Sequence, residues 1–351
     1  MKEKILKISD DPLITSECWT YYKFAVMQTS TKCNIWLTNH FSVYLCQDGS
    51  ALFGENGNMY PLSYYSDILD IRDGNILSVS SDDIIDYIKE KINQGYYIIL
   101  DLNYNKLKCE NENFWLHETL IYGYTQTEFA TPILINGVFR QEKIAFDVVK
   151  SAYEDACKYY KEDLNRLYNR RAWFYGITLL RIKENFINEN AYYDFIKKLR
   201  YEQEGNIYYK QKYSDSMNVK SKYFTGLSCI KHIIDLLNNI EYDNDVFSRL
   251  RKYREACKKI SEHQNAICIT MKWLRKSSTS SDLLEITDCY ERSIKNITII
   301  IMLFNKFELT ADKSIIKRII EKLSSVLMVQ NDLLGKFISF ASLEYIKKIN
   351  H

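Results

Sequence analysis

Phe114-Trp-Leu-His-Glu-Thr-Leu-Ile-Tyr-Gly-Tyr124 is the stretch on which the reading of this chain turns. Apolar and β-favouring residues lie on both sides of His117, so the segment reads as a strand from about Trp115 to Tyr124. A polar residue inside an apolar run needs a partner, because burying it alone is costly. On a rigid strand, an imidazole is well placed to take and return a proton. Upstream, Tyr96-Tyr-Ile-Ile-Leu100 follows the helix stop Asn93-Gln-Gly95 and reads as a second strand. Downstream, Pro132-Ile-Leu-Ile-Asn-Gly-Val-Phe139 reads as a third. Successive antiparallel pairing of the three is the simplest topology.

Further out, Pro12-Leu-Ile-Thr-Ser-Glu-Cys-Trp-Thr-Tyr-Tyr22 opens a helix expected over about Thr15–Ser30. Thr15 or Ser16 would cap it, leaving Cys18 in the first turn, where exposed backbone N–H groups favour a thiolate. A second helix is expected around Asn34–Cys46, followed by a Gly/Asn-rich loop over 48–58. Ser80-Ser-Asp-Asp83 caps a helix over Ile84–Ile92. All three prolines and seven of the eleven glycines precede residue 138, which marks a change of character. Beyond Ile144 the apolar period becomes helical, with Val148, Val149, Ala152, Tyr153, Ala156 and Tyr160 on one stripe of Phe146–Tyr168. Further helices fit Ala172–Asn185, Asn190–Glu202, Gly226–Asn239, Asn244–Lys276, Asp282–Phe307 and Thr310–Lys348, with Gly205–Ser221 as a long connection. The expectation is an α+β protein with a mixed domain over 1–145 and a helical-bundle domain over 146–351.

Composition narrows the classes. With 46% hydrophobic and 26% charged residues the chain has a globular balance, and 47 basic against 45 acidic residues leave a net +2. No field of that size argues for nucleic acid. The longest apolar run, Ile297–Phe304, is eight residues and cannot span a bilayer. With no signal-like apolar segment at its start, the chain is expected to be cytoplasmic. Nine cysteines, an odd number without a Cys-x-x-Cys pair, read as reduced thiols and not as a disulfide framework. Cys229-Ile-Lys-His232 lacks a second ligand pair, so no metal is expected.

A cysteine opening a helix and a histidine on a later strand follow the order of papain-like enzymes. Three stretches sharpen that likeness: Gly95-Tyr-Tyr-Ile-Ile-Leu-Asp-Leu-Asn-Tyr104, His117-Glu-Thr-Leu-Ile-Tyr-Gly-Tyr124 and Trp36-Leu-Thr-Asn-His-Phe-Ser-Val-Tyr-Leu45. Together with the Cys18 helix they resemble the N-terminal domain of butirosin biosynthesis protein H and its relatives beside nonribosomal peptide assembly lines. The likeness covers roughly residues 10–150. It implies a papain-like cysteine-protease fold and acyl transfer from a carrier-protein thioester to an amine, giving an amide. Among the relatives, amide synthases of closthioamide-type thiotemplated assembly look closest, which puts a diamine among the acceptors. The partners implied are an acyl or peptidyl carrier protein and a small amine. No cofactor of the chain's own is implied, since the phosphopantetheine arm belongs to the carrier protein. Many such sequences carry Asp after Tyr-Gly-Tyr, where this chain has Thr125.

On this reading Cys18 is the nucleophile and His117 the base. Cys33 competes for the first role, with Gln28 five residues before it in the position of an oxyanion-binding glutamine. His40 competes for the second, although its helical setting reads as structural. The residue that orients the imidazole is either Asn136, nineteen residues after His117, or Asp101 on the preceding strand. Asn136-Gly137 is equally a hairpin signal. Glu118, Trp19 and Gln28 are the expected substrate-binding residues, and Asp101, Glu110, Glu112 and Glu118 form an acidic rim suited to a cationic amine. The basic groups Arg170-Arg171, Lys197-Lys198 with Arg200, and Arg249 with Arg251-Lys252 are candidate carrier-protein contacts or ordinary solvated faces. A peptidase or thioesterase using the same Cys–His pair, and an inactive carrier-protein-binding scaffold, remain the rival functions.

Overall fold

The structure is a computed structural model that describes residues 3–54, 65–108, 113–135, 138–170, 176–184, 190–214, 217–275 and 281–349. Along the chain run β1 (Lys4–Ile5), α1 (Cys18–Met27), α2 (Thr31–His40), β2 (Val43–Cys46), β3 (Ala51–Phe53), β4 (Leu69–Asn75), α3 (Ile84–Asn93) and β5 (Tyr97–Asn103). Then come α4 (Tyr104–Leu107), β6 (Leu116–Ile121), β7 (Gly123–Tyr124), β8 (Glu128–Ile135), β9 (Val138–Ala145), α5 (Phe146–Glu162), α6 (Leu164–Arg170) and β10 (Gly176–Ile182). The last elements are α7 (Ala191–Glu204), β11 (Ile207–Ser214), β12 (Met217–Thr225), α8 (Leu227–Asn238), α9 (Val246–Arg275), α10 (Ser281–Thr310) and α11 (Ser314–Ile349). The fold is mixed α+β, with most of the long helices toward the C-terminus.

Two units share the chain: Met1–Thr31 with Tyr60–Ile187, and Lys32–Met59 with Asn188–His351. Residues 146–187, expected to open the helical domain, group with the first unit, and residues 32–59 with the second. The first unit holds two antiparallel sheets, ordered β1-β7-β8-β9 and β4-β10-β5-β6. β5 is buried along its whole length. Ile98, Leu100 and Leu102 pack with Ile84, Ile88 and Ile92 of α3 and with Val149, Ala152, Tyr153, Ala156 and Tyr160 of α5. The helical stripe read from Phe146 onward is thus the core face of α5. Each of the valines, leucines and isoleucines among them contributes roughly 1.5–3 kcal/mol on burial.

Three elements differ from expectation. Ala172–Asn185 was expected to be helical, yet Gly176–Ile182 is β10, paired antiparallel with both β4 and β5. Gly205–Ser221 holds the β11–β12 hairpin, where a connection was expected. The helix expected over Asn34–Cys46 stops at His40, and Val43–Cys46 is β2, joined to β12 and β3. Of the strands read from the sequence, Tyr96–Leu100 is β5, which pairs antiparallel with β6. Trp115–Tyr124 divides into β6 and β7 in different sheets, and Pro132–Phe139 covers the end of β8 and the start of β9, which pair antiparallel with each other. In the second unit, α10 packs against both α9 and α11, and α11 also packs against α7 and α8.

Candidate active site

Cys18 is the first residue of α1, half-buried, with Glu17 as the N-cap residue. Glu17 makes no side-chain cap bond, so neither Thr15 nor Ser16 holds the cap position. Instead Glu17 Oε2 accepts from Thr20 Oγ1 at 3.1 Å. α1 packs against β6, the strand that carries His117. One bond ties the two elements: Tyr22 Oη, buried on α1, donates to the Glu118 carbonyl at 3.0 Å.

The same carbonyl receives the histidine. His117 Nδ1 lies 2.6 Å from Glu118 O, and a carbonyl can only accept, so the proton sits on Nδ1. Nε2 is then the basic nitrogen. The Glu118 carboxylate stands 4.0 Å from His117 Nδ1. The imidazole is flanked by Tyr104 and Trp115, at 4.9 and 5.1 Å between ring centroids.

Asp101 does not orient this ring. Register pairs Asp101 with Glu118 and Leu102 with His117, so side-chain alternation puts Asp101 and His117 on opposite faces of the ladder. The Asp101 carboxylate, fully buried, accepts from Tyr160 Oη at 2.6 Å. Asn136, the other expected orienting residue, lies outside the described residues, as do Glu110, Glu112 and Arg171. The Glu118 carbonyl does the orienting here. Sequence reading missed it because a backbone acceptor carries no residue signature.

Among the described residues no hydrogen bond joins Cys18 and His117, and the Glu118 carboxylate is an electrostatic neighbour of the thiol. That carboxylate, together with Glu17, opposes ionisation of the thiol. Burial is the larger influence, and the result is a Cys18 pKa pushed up to about 12 from an ordinary 9.0. The backbone N–H of Cys18 and the Lys108 ammonium pull the other way. The helix N-terminus therefore acts in the expected direction and loses to desolvation and two carboxylates. The resting site holds a thiol.

Lys23, one turn beyond Trp19 on α1, is a component the sequence did not flag. It is 1% exposed, with Nζ 4.6 Å from the ring centroids of both Trp19 and Tyr65. Burial pulls its ammonium down to about 7, against the pull of Glu17 and Glu118. Trp19, expected to bind substrate, is itself buried beneath this lysine. Gln28 sits at the far end of α1 from Cys18, where its Oε1 accepts from Leu13 N at 2.8 Å.

The competing residues belong to the second unit. Cys33 is 1% exposed there. His40 bonds through Nδ1 to Trp36 O at 2.9 Å and stacks on the Trp36 ring, a structural role. Cys229 is buried with its sulfur 3.2 Å from Phe224 O, while His232 Nε2 faces Gln47 O. Among the described residues no group of three or more potential ligands could hold a metal, and no helix is long and apolar enough to cross a membrane. No protein-family model matches the chain, and neither does any curated protein.

Proposed function

We propose that the first unit is a papain-like acyltransferase that uses Cys18 and His117 to move an acyl group from a carrier-protein thioester to an amine. What supports this reading is the packing of α1, which begins at Cys18, against β6, where the Glu118 carbonyl holds His117 Nδ1 and leaves Nε2 free to act as the base. The resemblance of residues 10–150 to the butirosin biosynthesis protein H group supplies the acyl chemistry.

In the first half-reaction, Sγ of Cys18 adds to the thioester carbonyl as its proton passes to His117 Nε2. The tetrahedral oxyanion collapses, the bond to the pantetheine sulfur breaks, and that sulfur takes the proton from the imidazolium. The acyl group is then a Cys18 thioester. In the second, an amine adds to this carbonyl and gives a proton to His117. The Cys18 sulfur leaves and recovers that proton, releasing an amide. Glu118 and Glu17 favour a cationic acceptor at the site. Because the resting thiol is protonated, its proton must leave in concert with attack, which makes the position of Nε2 decisive.

A second reading has one observation in its favour. A thiol pushed up to about 12 also suits an inert scaffold that binds a carrier protein without acyl transfer. Intact-protein mass spectrometry separates the two, using an acyl-pantetheine thioester and acyl-loaded carrier protein. Acyl transfer gives a mass adduct that persists in Cys33→Ala, is absent in Cys18→Ala, and forms at least tenfold more slowly in His117→Ala. An adduct that survives Cys18→Ala, or no adduct from either donor, would reject the transferase and leave the scaffold.

A further inference from the structure

We propose that Asn103 is a positioning residue for the base: its buried carboxamide ties Asp155 of α5 to the backbone of Trp115, and Trp115 holds the plane of the His117 ring. The inference rests on His117 being the base of the site.

Among the described residues a single hydrogen bond reaches the imidazole, the one between Nδ1 and the Glu118 carbonyl. One bond anchors one nitrogen and leaves the ring free to swing about it, which would sweep Nε2 off its target. Two aromatic rings remove that freedom. Trp115 and Tyr104 touch each other as well as the imidazole. Ring centroids lie 5.1 Å apart for Trp115 and His117, 4.9 Å for Tyr104 and His117, and 5.2 Å for Tyr104 and Trp115. Both contacts of Trp115 are edge-on, at 70° and 78°, an arrangement that ring quadrupoles favour.

The two walls are not held alike. Tyr104 is fully buried, and its Oη accepts from Leu134 N at 2.6 Å. Trp115 is 41% exposed and stands one residue before β6. Its backbone is what anchors it: the carbonyl accepts from Tyr104 N at 2.8 Å, and the N–H donates to Asn103 Oδ1 at 3.2 Å. Asn103 is the last residue of β5 and is buried, where an amide is costly unless both its ends are used. Both are used. Nδ2 donates to Asp155 Oδ2 at 2.7 Å, a charge-assisted bond. A carboxylate only accepts and a backbone N–H only donates, so the orientation of the carboxamide is determined. Asp155 is held in turn by Lys106 Nζ at 2.8 Å, which also donates to Ser151 Oγ at 2.8 Å. Asn103 shares the face of its register partner Leu116, whereas Trp115 and His117 lie on the other face. The carboxamide therefore reaches the imidazole only through the Trp115 backbone.

The test reads the imidazole directly, from the ring-nitrogen shifts of isotope-labelled histidine at pH 8.5, about two units above the ordinary imidazole value. His117→Asn assigns the signals among the five histidines. Wild type should show one tautomer, with the proton on Nδ1. In Asn103→Leu the two nitrogen shifts should move toward each other as the ring leaves the Glu118 carbonyl. Trp115→Ala should do the same, and Trp115→Phe, which keeps a ring there, should stay near wild type. With acyl-pantetheine as donor, Asn103→Leu should slow Cys18 acylation between about tenfold and 100-fold at an unchanged half-saturating concentration. Added to Trp115→Ala it should slow the reaction no further, because it acts through that ring. Nitrogen shifts that keep their wild-type values in Trp115→Ala, or an Asn103→Leu effect undiminished in the Trp115→Ala background, would overturn the proposal. Trp115→Ala, a change at an exposed ring, decides alone if Asn103→Leu fails to fold. The nitrogen shifts need no acyl donor, so a missing acyl adduct rejects the transferase while the tautomer still decides on Asn103.

Discussion

The burial of Lys23 has a consequence for stability. Its folded value of about 7 lies below the ordinary 10.5, so between those limits the folded chain binds fewer protons than the unfolded one. Stability attributable to this group therefore rises with pH from about 7 to about 10.5 and is lost as pH falls back through 7. At about 1.4 kcal/mol per pH unit the span is on the order of 4–5 kcal/mol, reduced by attraction to the two rings. Lys23→Met should accordingly stabilise the protein at pH 7, and its advantage should shrink by several kcal/mol at pH 10. Urea denaturation of both proteins at pH 7, 9 and 10 checks this; an advantage independent of pH would mean that the amino group is not desolvated. The sequence offered Cys18 and His117 as candidates because a thiol opening a helix and an imidazole inside an apolar strand stand out from their neighbours. Lys23 was not offered, since Trp-Thr-Tyr-Tyr-Lys-Phe reads as any helix with one solvated lysine, and only the fold shows Tyr65 closing over it.

At the scale of elements, the second unit carries its own buried charges where α7 meets α9. Glu202 Oε1 of α7 lies 2.8 Å from Lys198 Nζ on the same helix and 3.0 Å from His263 Nε2 on α9. Lys198 also donates to Ser42 Oγ. Against the cost of burial, the Lys198 ammonium, with His263 beside it, holds the Glu202 carboxyl down at about 2. Its folded value is below the ordinary 4.5, so this contribution is full above 4.5 and disappears as pH falls through 2. Burial lowers His263 from its ordinary 6.5, so its stabilising share is lost in the same direction, below pH 6.5. Glu202→Gln removes the anion and leaves Lys198 buried and unpaired, a loss of roughly 3–5 kcal/mol. Denaturant titration at pH 7 should show a fall of that size, whereas Glu202→Gln together with Lys198→Met should recover much of it. Elements hidden from sequence reading have a common cause. Gly176-Ile-Thr-Leu-Leu180 is buried on both faces of the sheet, and a strand without a wet face loses the two-residue alternation that would distinguish it from a helix. The β11–β12 segment is the reverse: its lysines and tyrosines made polarity, rather than period, the dominant feature.

For the whole molecule, the decisive fact is that sequence order and spatial grouping disagree. A boundary at residue 145 follows the change of composition, since the prolines, most glycines and most strands come earlier. Yet the sheet that carries His117 is ordered β4-β10-β5-β6, and β10, at Gly176–Ile182, is an interior strand of it. It hydrogen-bonds β4 along Leu69–Asn75 on one side and β5 along Tyr97–Leu100 on the other. α5, also beyond residue 145, covers β5 with Val149, Ala152, Tyr153, Ala156 and Tyr160. A fragment of residues 1–145 would lose both. β4 would have no partner in that sheet, β5 would present an open hydrogen-bonding edge, and the apolar face beneath α5 would meet water. The fragment should fail to fold or should aggregate, with near-ultraviolet dichroism and dispersed amide resonances lost and no Cys18 reactivity distinct from that of a free thiol. Extending it to residue 187 restores β10 and α5 but still carries residues 32–59, which pair with β12 in the second unit. Replacing 32–59 by a flexible Gly/Ser linker in a 1–187 fragment removes that orphaned strand pair, and this version should recover both dichroism and the raised pKa of Cys18. If 1–145 folded as well as the linked 1–187 fragment, β10 and α5 would be dispensable to the sheet and the interleaved division of the chain would be wrong.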